Sequence, residues 1–299
     1  MALPLDFDIA LIALSKGGGT SSEDNVLNTL IRELAEAAMA PEIDCQPSPQ
    51  PARERPNDTI TAPAARQRAI DLQQWQQRAL QSHYPFVWFA TTDYRVKTNG
   101  TCTTKSVCIV LGLNLSGKKE VLGLYIVSGS EAGFWLSLLR DLNTRGVQDI
   151  LISVVATDGS NGFLDAISQT FPQTDVQLCV NHQIRYSLRQ VADKNQQAVM
   201  AALSSIHDAE NRESADAALA ELEGRWGHQY PTVTQSWRNN WQHLSANFDY
   251  PAAIRRVIHT TDPIEVVCRP VRAITTGKVT FADENSLMSL LYTAIQKGR

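Results

Sequence analysis

Two acidic residues that lie 107 positions apart are the side chains best suited to chemistry in this sequence. Asp158 follows the apolar run of VVATDGSNGF, and Glu265 lies near a predicted helix start in HTTDPIEVV. Carboxylates from two distant segments can bind a divalent metal ion against a phosphodiester, as in two-metal nucleases and polynucleotidyl transferases. Such a site requires a third carboxylate, so the remaining question is where that residue lies.

The elements that would position Asp158 predict a mixed α/β sheet. Asn99-Gly100 and Ser116-Gly117 are hairpin signals between three strand-like runs, which predicts an antiparallel meander. A later apolar run predicts a buried strand beside the first. This order is typical of a ribonuclease H-like fold, in which acidic residues gather at neighbouring strand ends. The predicted strands are 86–97, 106–115, 119–128, 150–156 and 176–180, with helices at 132–145 and 163–171.

Helical sequence fills most of the chain between His182 and Asp262, which predicts an all-helical insertion before the last acidic residue. Its first helix is predicted to run unbroken over 184–206. Asp262-Pro263-Ile264-Glu265 then predicts a helix with Asp262 as its N-cap. The predicted division is 1–40 as an N-terminal helical remnant, 41–63 as a proline-rich linker, 64–182 as the first part of the core, 183–261 as the insertion and 262–299 as the final helices of the core. Within it, helices are predicted at 21–40, 64–82 and 284–297.

Composition indicates a globular protein with a substantial core, since 43% of the 299 residues are hydrophobic and 19% are charged. The net charge of −4 is uneven: residues 1–60 carry four basic and ten acidic side chains, which leaves 23 basic and 21 acidic for the rest. No apolar run of about 18 residues and no cleavable leader is evident, which predicts a cytoplasmic protein without a membrane partner. The five cysteines lack paired C-x-x-C spacing and predict free thiols.

Several motifs, taken together and in order, resemble the Mutator-type transposases of bacterial insertion sequences. The resemblance runs from about Trp75 to Lys297, roughly three quarters of the chain. The segments that carry it are Tyr84-Pro85 with its following strand, LGLNLSGKKEVLGLYI, FWLSLLRDLNTRGVQDILI, DGSNGFLDAI, FPQTDVQLCVNHQIRYSLRQV, WGHQYPTVTQSWRNNWQHLSANFDYP and HTTDPIEVVCRPVR.

The resemblance implies an Asp-Asp-Glu catalytic site that binds two Mg²⁺ or Mn²⁺ ions, with Asp158 as the second member and Glu265 as the third. Counting from Tyr84-Pro85 and back from Arg95-Val96-Lys97 places the first Asp at Ala90, so this carboxylate is missing. Asp93 is a weak substitute, because residues 90 and 93 point to opposite faces of a regular strand. Only a β-bulge would reorient it.

Other departures from the family pattern predict a degenerate copy. The DNA-binding region that precedes the catalytic core in the family has no counterpart here, Pro270 falls inside the predicted helix, and the chain ends at Arg299. The resemblance implies DNA as a partner, both element ends and target, a location at the bacterial nucleoid, and a homodimer or a mixed dimer with an intact transposase. The predicted function is therefore a Mutator-type transposase, inactive in this copy.

Three alternatives stay open. The chain could be a non-catalytic remnant that regulates by binding DNA or transposase, or an unrelated ribonuclease H-like nuclease. Glu265 could form only a capping box with Asp262. Cys179 and His182 match a family pair that we interpret as structural, packing the fifth strand against the insertion.

Aromatic and basic side chains in the second half of the chain also allow two interpretations. Tryptophans in the insertion could stack on DNA bases but more often fill a core. Arginines could contact phosphates, although isolated arginines on helices are usually only solvated. The tryptophans are Trp226, Trp237 and Trp241, and the arginines are Arg238, Arg269 and Arg272, with Arg255 and Arg256 beside them.

Overall fold

A five-stranded mixed sheet forms the centre of the protein. The computed structural model describes residues 22–43, 62–98, 100–156, 162–275 and 280–297. The sheet order is β3-β2-β1-β4-β5, with the first three strands antiparallel and β1, β4 and β5 parallel. The strands are β1 (His83–Thr98), β2 (Thr101–Leu113), β3 (Lys119–Ile126), β4 (Asp149–Val155) and β5 (Asp175–Leu178). The predicted meander and the predicted placement of the fourth strand beside the first are both confirmed.

Two glycines make the hairpins possible. Gly100 and Gly117 have φ values of 81° and 72°, which are strained for residues with a side chain. In the second turn the side chain of Asn114 accepts hydrogen bonds from the backbone N–H groups of Ser116 and Lys118. The turn chemistry read from the sequence therefore sets the register of β2 against β3.

The remaining elements are all helical. Before β1 lie α1 (Ser22–Met39) and α2 (Ala62–Gln76). Between β3 and β5 lie α3 (Glu131–Thr144) and α4 (Phe163–Thr170). After β5 come α5 (Val180–Leu188), α6 (Asp193–His207), α7 (Arg212–Trp226), α8 (Pro231–Asn239), α9 (Trp241–Leu244), a 3₁₀ turn (Ala246–Asp249), α10 (Ala252–Ile258), α11 (Asp262–Thr275) and α12 (Glu284–Lys297). Among these described helices, none has the length and apolar content that a membrane span requires.

Two of the predicted helices have the wrong extent. The helix predicted at 64–82 begins at Ala62, inside the predicted linker, and ends at Gln76. The helix predicted over 184–206 is broken between Leu188 and Asp193. The side chain of Gln196 donates to the backbone oxygen of Val191 and to that of Leu188, which also accepts from the N–H of Val191.

Each face of the sheet carries its own apolar core. On the first face, Phe86 and Trp88 pack with α1, α10, α11 and α12. On the second face, Val87 and Phe89 pack with α3, α4 and the helices from α5 to α9. Because successive strand residues alternate between the faces, β1 divides its apolar side chains between the two cores.

Helix α1 is part of the first core. Its residues Ile31, Leu34 and Ala38 are at most 3% exposed, and the helix packs against α10. The buried Lys119 ammonium at the start of β3 donates to the backbone oxygens of Ala38, at 3.1 Å, and of Ala40. A cation at the carbonyl end of α1 is favourable both as a cap and for the helix dipole.

Candidate functional site

Ala90 lies at the edge of the sheet where β4 ends. The last residue pair between β1 and β4 is Phe89 with Val155, and the N–H of Ala156 donates to the oxygen of Phe89 at 3.2 Å. Asp158 lies two residues further on, outside the described residues. The chain that leads to Asp158 therefore leaves β4 directly beside Ala90.

Glu265 approaches the same strand from a helix. It lies in the first turn of α11, as predicted, and α11 packs against β1 through buried Ile264, Cys268 and other apolar residues of the first core. Ala90 packs against that core as well. The structure therefore places Ala90 on the face of β1 that α11 covers.

The Glu265 carboxylate is held by an arginine of its own helix. Nη2 of Arg272 donates to both oxygens of Glu265, at 2.7 Å and 2.5 Å, and this hydrogen bonding raises the pKa of Arg272. The two residues lie seven positions apart, which is two helical turns. The capping-box alternative is not what the structure shows, because the N–H of Asp262 donates to Oγ1 of Thr260 instead. The helix also continues through Pro270.

Asp93 lies on the opposite face from Ala90. The register between β1 and β2 is unbroken from Phe86 to Thr98, so no bulge turns Asp93 towards α11. Its carboxylate is exposed and accepts a hydrogen bond from the hydroxyl of Ser106, its partner on β2. Among the described residues, Asp93 therefore makes no contact with Glu265.

Cys179 joins the strand ends to the start of α11. Its N–H donates to the oxygen of Val155 at 2.9 Å, and its Sγ lies 3.5 Å from Oγ1 of Thr261. The side chain of Cys179 therefore contacts the segment that precedes Glu265. His182 is half-buried in the first turn of α5.

Two further residues lie near Glu265 on α11 and β1: Cys268 borders Glu265, and Tyr94 borders Cys268. Burial and then the neighbouring Glu265 raise the pKa of the Cys268 thiol to about 12. Burial and then Cys268 raise the pKa of Tyr94 to about 12. Both groups are therefore neutral at neutral pH. In the sequence, the only signal for Cys268 is its position three residues after Glu265, and for Tyr94 its position four residues after Ala90.

The arginine candidates differ in their freedom to bind phosphate. Arg238 donates to both oxygens of Glu223, at 2.8 Å and 2.6 Å, and Arg272 is committed to Glu265. Arg269 is exposed on α11. Two of the three candidates therefore already have a carboxylate partner.

The tryptophans of the insertion belong to the second core. Trp237 is fully buried and its Nε1 donates to the hydroxyl of Ser187 at 2.9 Å. Trp226 is 9% exposed and Trp241 packs against the same core. The geometry supports core packing rather than stacking on bases.

A comparison with protein families identifies the chain. The profile described as "Transposase, Mutator family" matches residues 57–298. The chain belongs to the Mutator family of transposases. The match includes β1, the end of β4 and α11, so Ala90, Asp158 and Glu265 all fall within the matched region.

The names of individual similar proteins are consistent with this family. The chain is 40% identical over 226 residues to a probable transposase for an ISRM3-like insertion sequence of Sinorhizobium fredii and to the ISRM3 transposase of Rhizobium meliloti. It is 32% identical over 222 residues to a probable insertion-sequence transposase of Corynebacterium diphtheriae. These alignments cover 75%, 75% and 74% of this chain but 56%, 56% and 64% of the three relatives. The chain thus spans little more than half the length of the first two.

Proposed function

We propose that this chain is the catalytic part of a DNA transposase of an insertion sequence, with a ribonuclease H-like core and Asp158 and Glu265 as two members of its acidic site. The observation that carries the proposal is the arrangement around Ala90. The end of β4 lies beside this residue on the sheet edge, and the helix that bears Glu265 covers the same strand. The order of antiparallel and then parallel strands supports the fold assignment. The division into a core at 64–182, an insertion at 183–261 and final core helices at 262–299 is part of this proposal.

We propose that this copy has little catalytic activity, because its side chains do not offer the ligands that a magnesium site needs. Mg²⁺ prefers oxygen ligands, and the methyl group of Ala90 supplies none. Both oxygens of Glu265 are bonded to Arg272. We therefore derive no cleavage step through a metal for this chain.

A plasmid-nicking assay tests this proposal. The purified chain is incubated with supercoiled plasmid in Mg²⁺ and, separately, in Mn²⁺, and we expect no metal-dependent nicking above that of an Asp158→Ala/Glu265→Gln control. Nicking that the control abolishes would contradict the loss of activity while supporting the assignment of the two carboxylates. Nicking that survives in the control would contradict the assignment itself.

A second function is favoured by the same alanine at residue 90. A chain that folds and binds DNA without cutting it acts as a regulator, by occupying DNA or by forming mixed dimers with an intact transposase. Light scattering of the chain, alone and mixed with an intact relative, tests the dimer. Monomers in both samples, together with no DNA binding in a band-shift assay, would contradict this second function.

A further inference from the structure

The hairpin of β1 and β2 extends well beyond the rest of the sheet. Pairing of β1 with β4 ends at Phe89, and pairing of β2 with β3 begins at Val107. Among the five strands, residues 93–98 and 101–106 therefore pair only with each other, and we call them the ribbon. At about 3.4 Å per residue, its end at residue 98 lies about 27 Å from Ala90.

One face of the ribbon is covered by the end of the chain. Tyr94 and Val96 are buried there, and the ring of Phe281 packs edge-on against Tyr94 with centroids 6.0 Å apart. The backbone of Phe281 pairs with β1 beside Val96. Lys105 forms an ion pair with Glu284 of α12 at 2.9 Å. This face holds the ribbon to the body of the protein.

The opposite face is exposed and polar. Arg95 and Lys97 lie on it two residues apart, so their backbones are separated by about 7 Å along one edge of the face. Neither side chain forms an ion pair with a residue that the structure describes. Asp93, nearer the sheet, is held by Ser106. The other exposed side chains of this face are those of Cys102 and Thr104.

We infer that this exposed face of the ribbon binds the phosphate backbone of duplex DNA, an inference that rests on the proposed function. Arg, Lys and Thr are side chains that commonly contact phosphates, and a two-stranded ribbon fits the major groove. The face carries no large apolar or aromatic side chain of the kind that anchors a protein partner. The ribbon leaves the sheet at the end where β4 stops, and its exposed face is opposite the face of β1 that carries Ala90 and packs against α11.

Charge-matched double variants test this inference. We expect Arg95→Gln/Lys97→Gln to weaken binding to a duplex of about 30 base pairs and arbitrary sequence by about tenfold, and to reduce the slope of log affinity against log salt by up to about 2. The control is Arg140→Gln/Lys194→Gln, which removes the same charge from exposed positions of α3 and α6. Arg140 lies near the end of α3, which leads to the start of β4, at the sheet edge away from Ala90. Fluorescence anisotropy over a salt series gives both quantities.

The outcomes separate this inference from the proposed function. An equal loss of DNA affinity in the two double variants would overturn the ribbon as the DNA-binding surface, as would no loss in either while the parent binds. Both results would leave the transposase assignment standing. A parent chain that does not bind duplex DNA even at low salt would overturn both. Unchanged thermal unfolding of each variant shows that the fold is intact, as exposed positions lead one to expect.

Cys102 provides a second, direct measurement on the parent chain. It is an exposed thiol opposite Lys97, whereas Cys108, Cys179 and Cys268 are buried. We expect the duplex to slow alkylation of Cys102 by iodoacetamide several-fold, measured on its own peptide by mass spectrometry. Protection that depends on protein concentration and not on DNA would instead indicate contact between copies of the chain and would overturn the inference.

Discussion

Residue 90 decides how many oxygen ligands the site can offer a cation, because a methyl group has no lone pair to donate. Ala90 lies beside the end of β4 and on the face of β1 that α11 covers. We therefore expect Ala90→Asp to raise the affinity for Mn²⁺ by at least about tenfold, measured by calorimetry or electron paramagnetic resonance. The control is Asp93→Asn, which removes a carboxylate from the opposite face and should leave Mn²⁺ affinity unchanged. Equal Mn²⁺ binding by the parent and Ala90→Asp would contradict the assignment of residue 90.

Arg272 competes with any cation for the oxygens of Glu265. Its side chain is 52% exposed and that of Glu265 is 39% exposed, so the ion pair is well solvated and contributes at most about 1 kcal/mol to stability. We expect Arg272→Gln, introduced into the Ala90→Asp variant, to raise Mn²⁺ affinity further while the free energy of unfolding in urea changes by less than about 1 kcal/mol. The matched control is Arg238→Gln, which breaks a similar pair with Glu223 in the insertion. An equal gain in Mn²⁺ affinity from both variants would show that the effect is only one of net charge.

The sequence predicted which face Asp93 occupies, but not the partner of Glu265. The face follows from strand alternation, which is fixed by backbone geometry once the strand is regular. The Arg272 contact spans two helical turns, whereas neighbouring side chains on a helix are expected three or four residues apart. Only the coordinates show that the arginine reaches back along α11 to residue 265.

At the scale of elements, the strands were predicted better than the helices of the insertion. Hairpin turns and apolar alternation specify a strand locally, and the meander matches them. The break between α5 and α6 has no Pro or Gly to signal it. Val191 is buried at the break as part of the second core, so the break depends on tertiary packing.

We expect the packing of α6, α10 and α11 around His259 to depend on pH. Its ring lies against His207 of α6, with centroids 4.9 Å apart, and Asp262 of α11 and the backbone of Arg255 also face it. Burial, the largest influence, lowers the pKa of His259 below 6.5. The unfolded chain therefore binds this proton more readily than the folded chain, and stability is lost as pH falls from above 6.5 through the folded pKa.

A variant at this position tests the dependence on pH. We expect His259→Gln to flatten the decrease in unfolding free energy between about pH 7.5 and pH 5, measured by urea denaturation, since each unit of lowered pKa corresponds to about 1.4 kcal/mol. His228→Gln, at an exposed position of the insertion, is the control and should retain the parent's profile. An unchanged profile in His259→Gln would assign the acid sensitivity to other groups.

At the scale of the whole molecule, the sheet joins two cores that the sequence did not reveal as separate. Helix α1 was predicted as an N-terminal helical remnant, and in the structure it packs against α10 and the first face of the sheet. The sequence predicted the helix but not its position, because its contacts with α10 join residues more than 200 positions apart. The tie from Lys119 to the end of α1 depends on the same long-range packing.

Leu34 tests whether α1 folds in one cooperative unit with the sheet. This side chain is 2% exposed within the first core, so we expect Leu34→Ala to lower the free energy of unfolding by about 2 to 5 kcal/mol. The control is Met39→Ala on the same helix, where the side chain is 53% exposed and the expected loss is below about 1 kcal/mol.

Urea denaturation is followed by tryptophan fluorescence, which reports on both cores through Trp88 and Trp237, and by far-ultraviolet circular dichroism. If α1 is integral, both probes shift together to lower urea in Leu34→Ala, because a single cooperative transition moves as a whole. A shift confined to circular dichroism would mean that α1 unfolds separately while the sheet and its two cores remain intact.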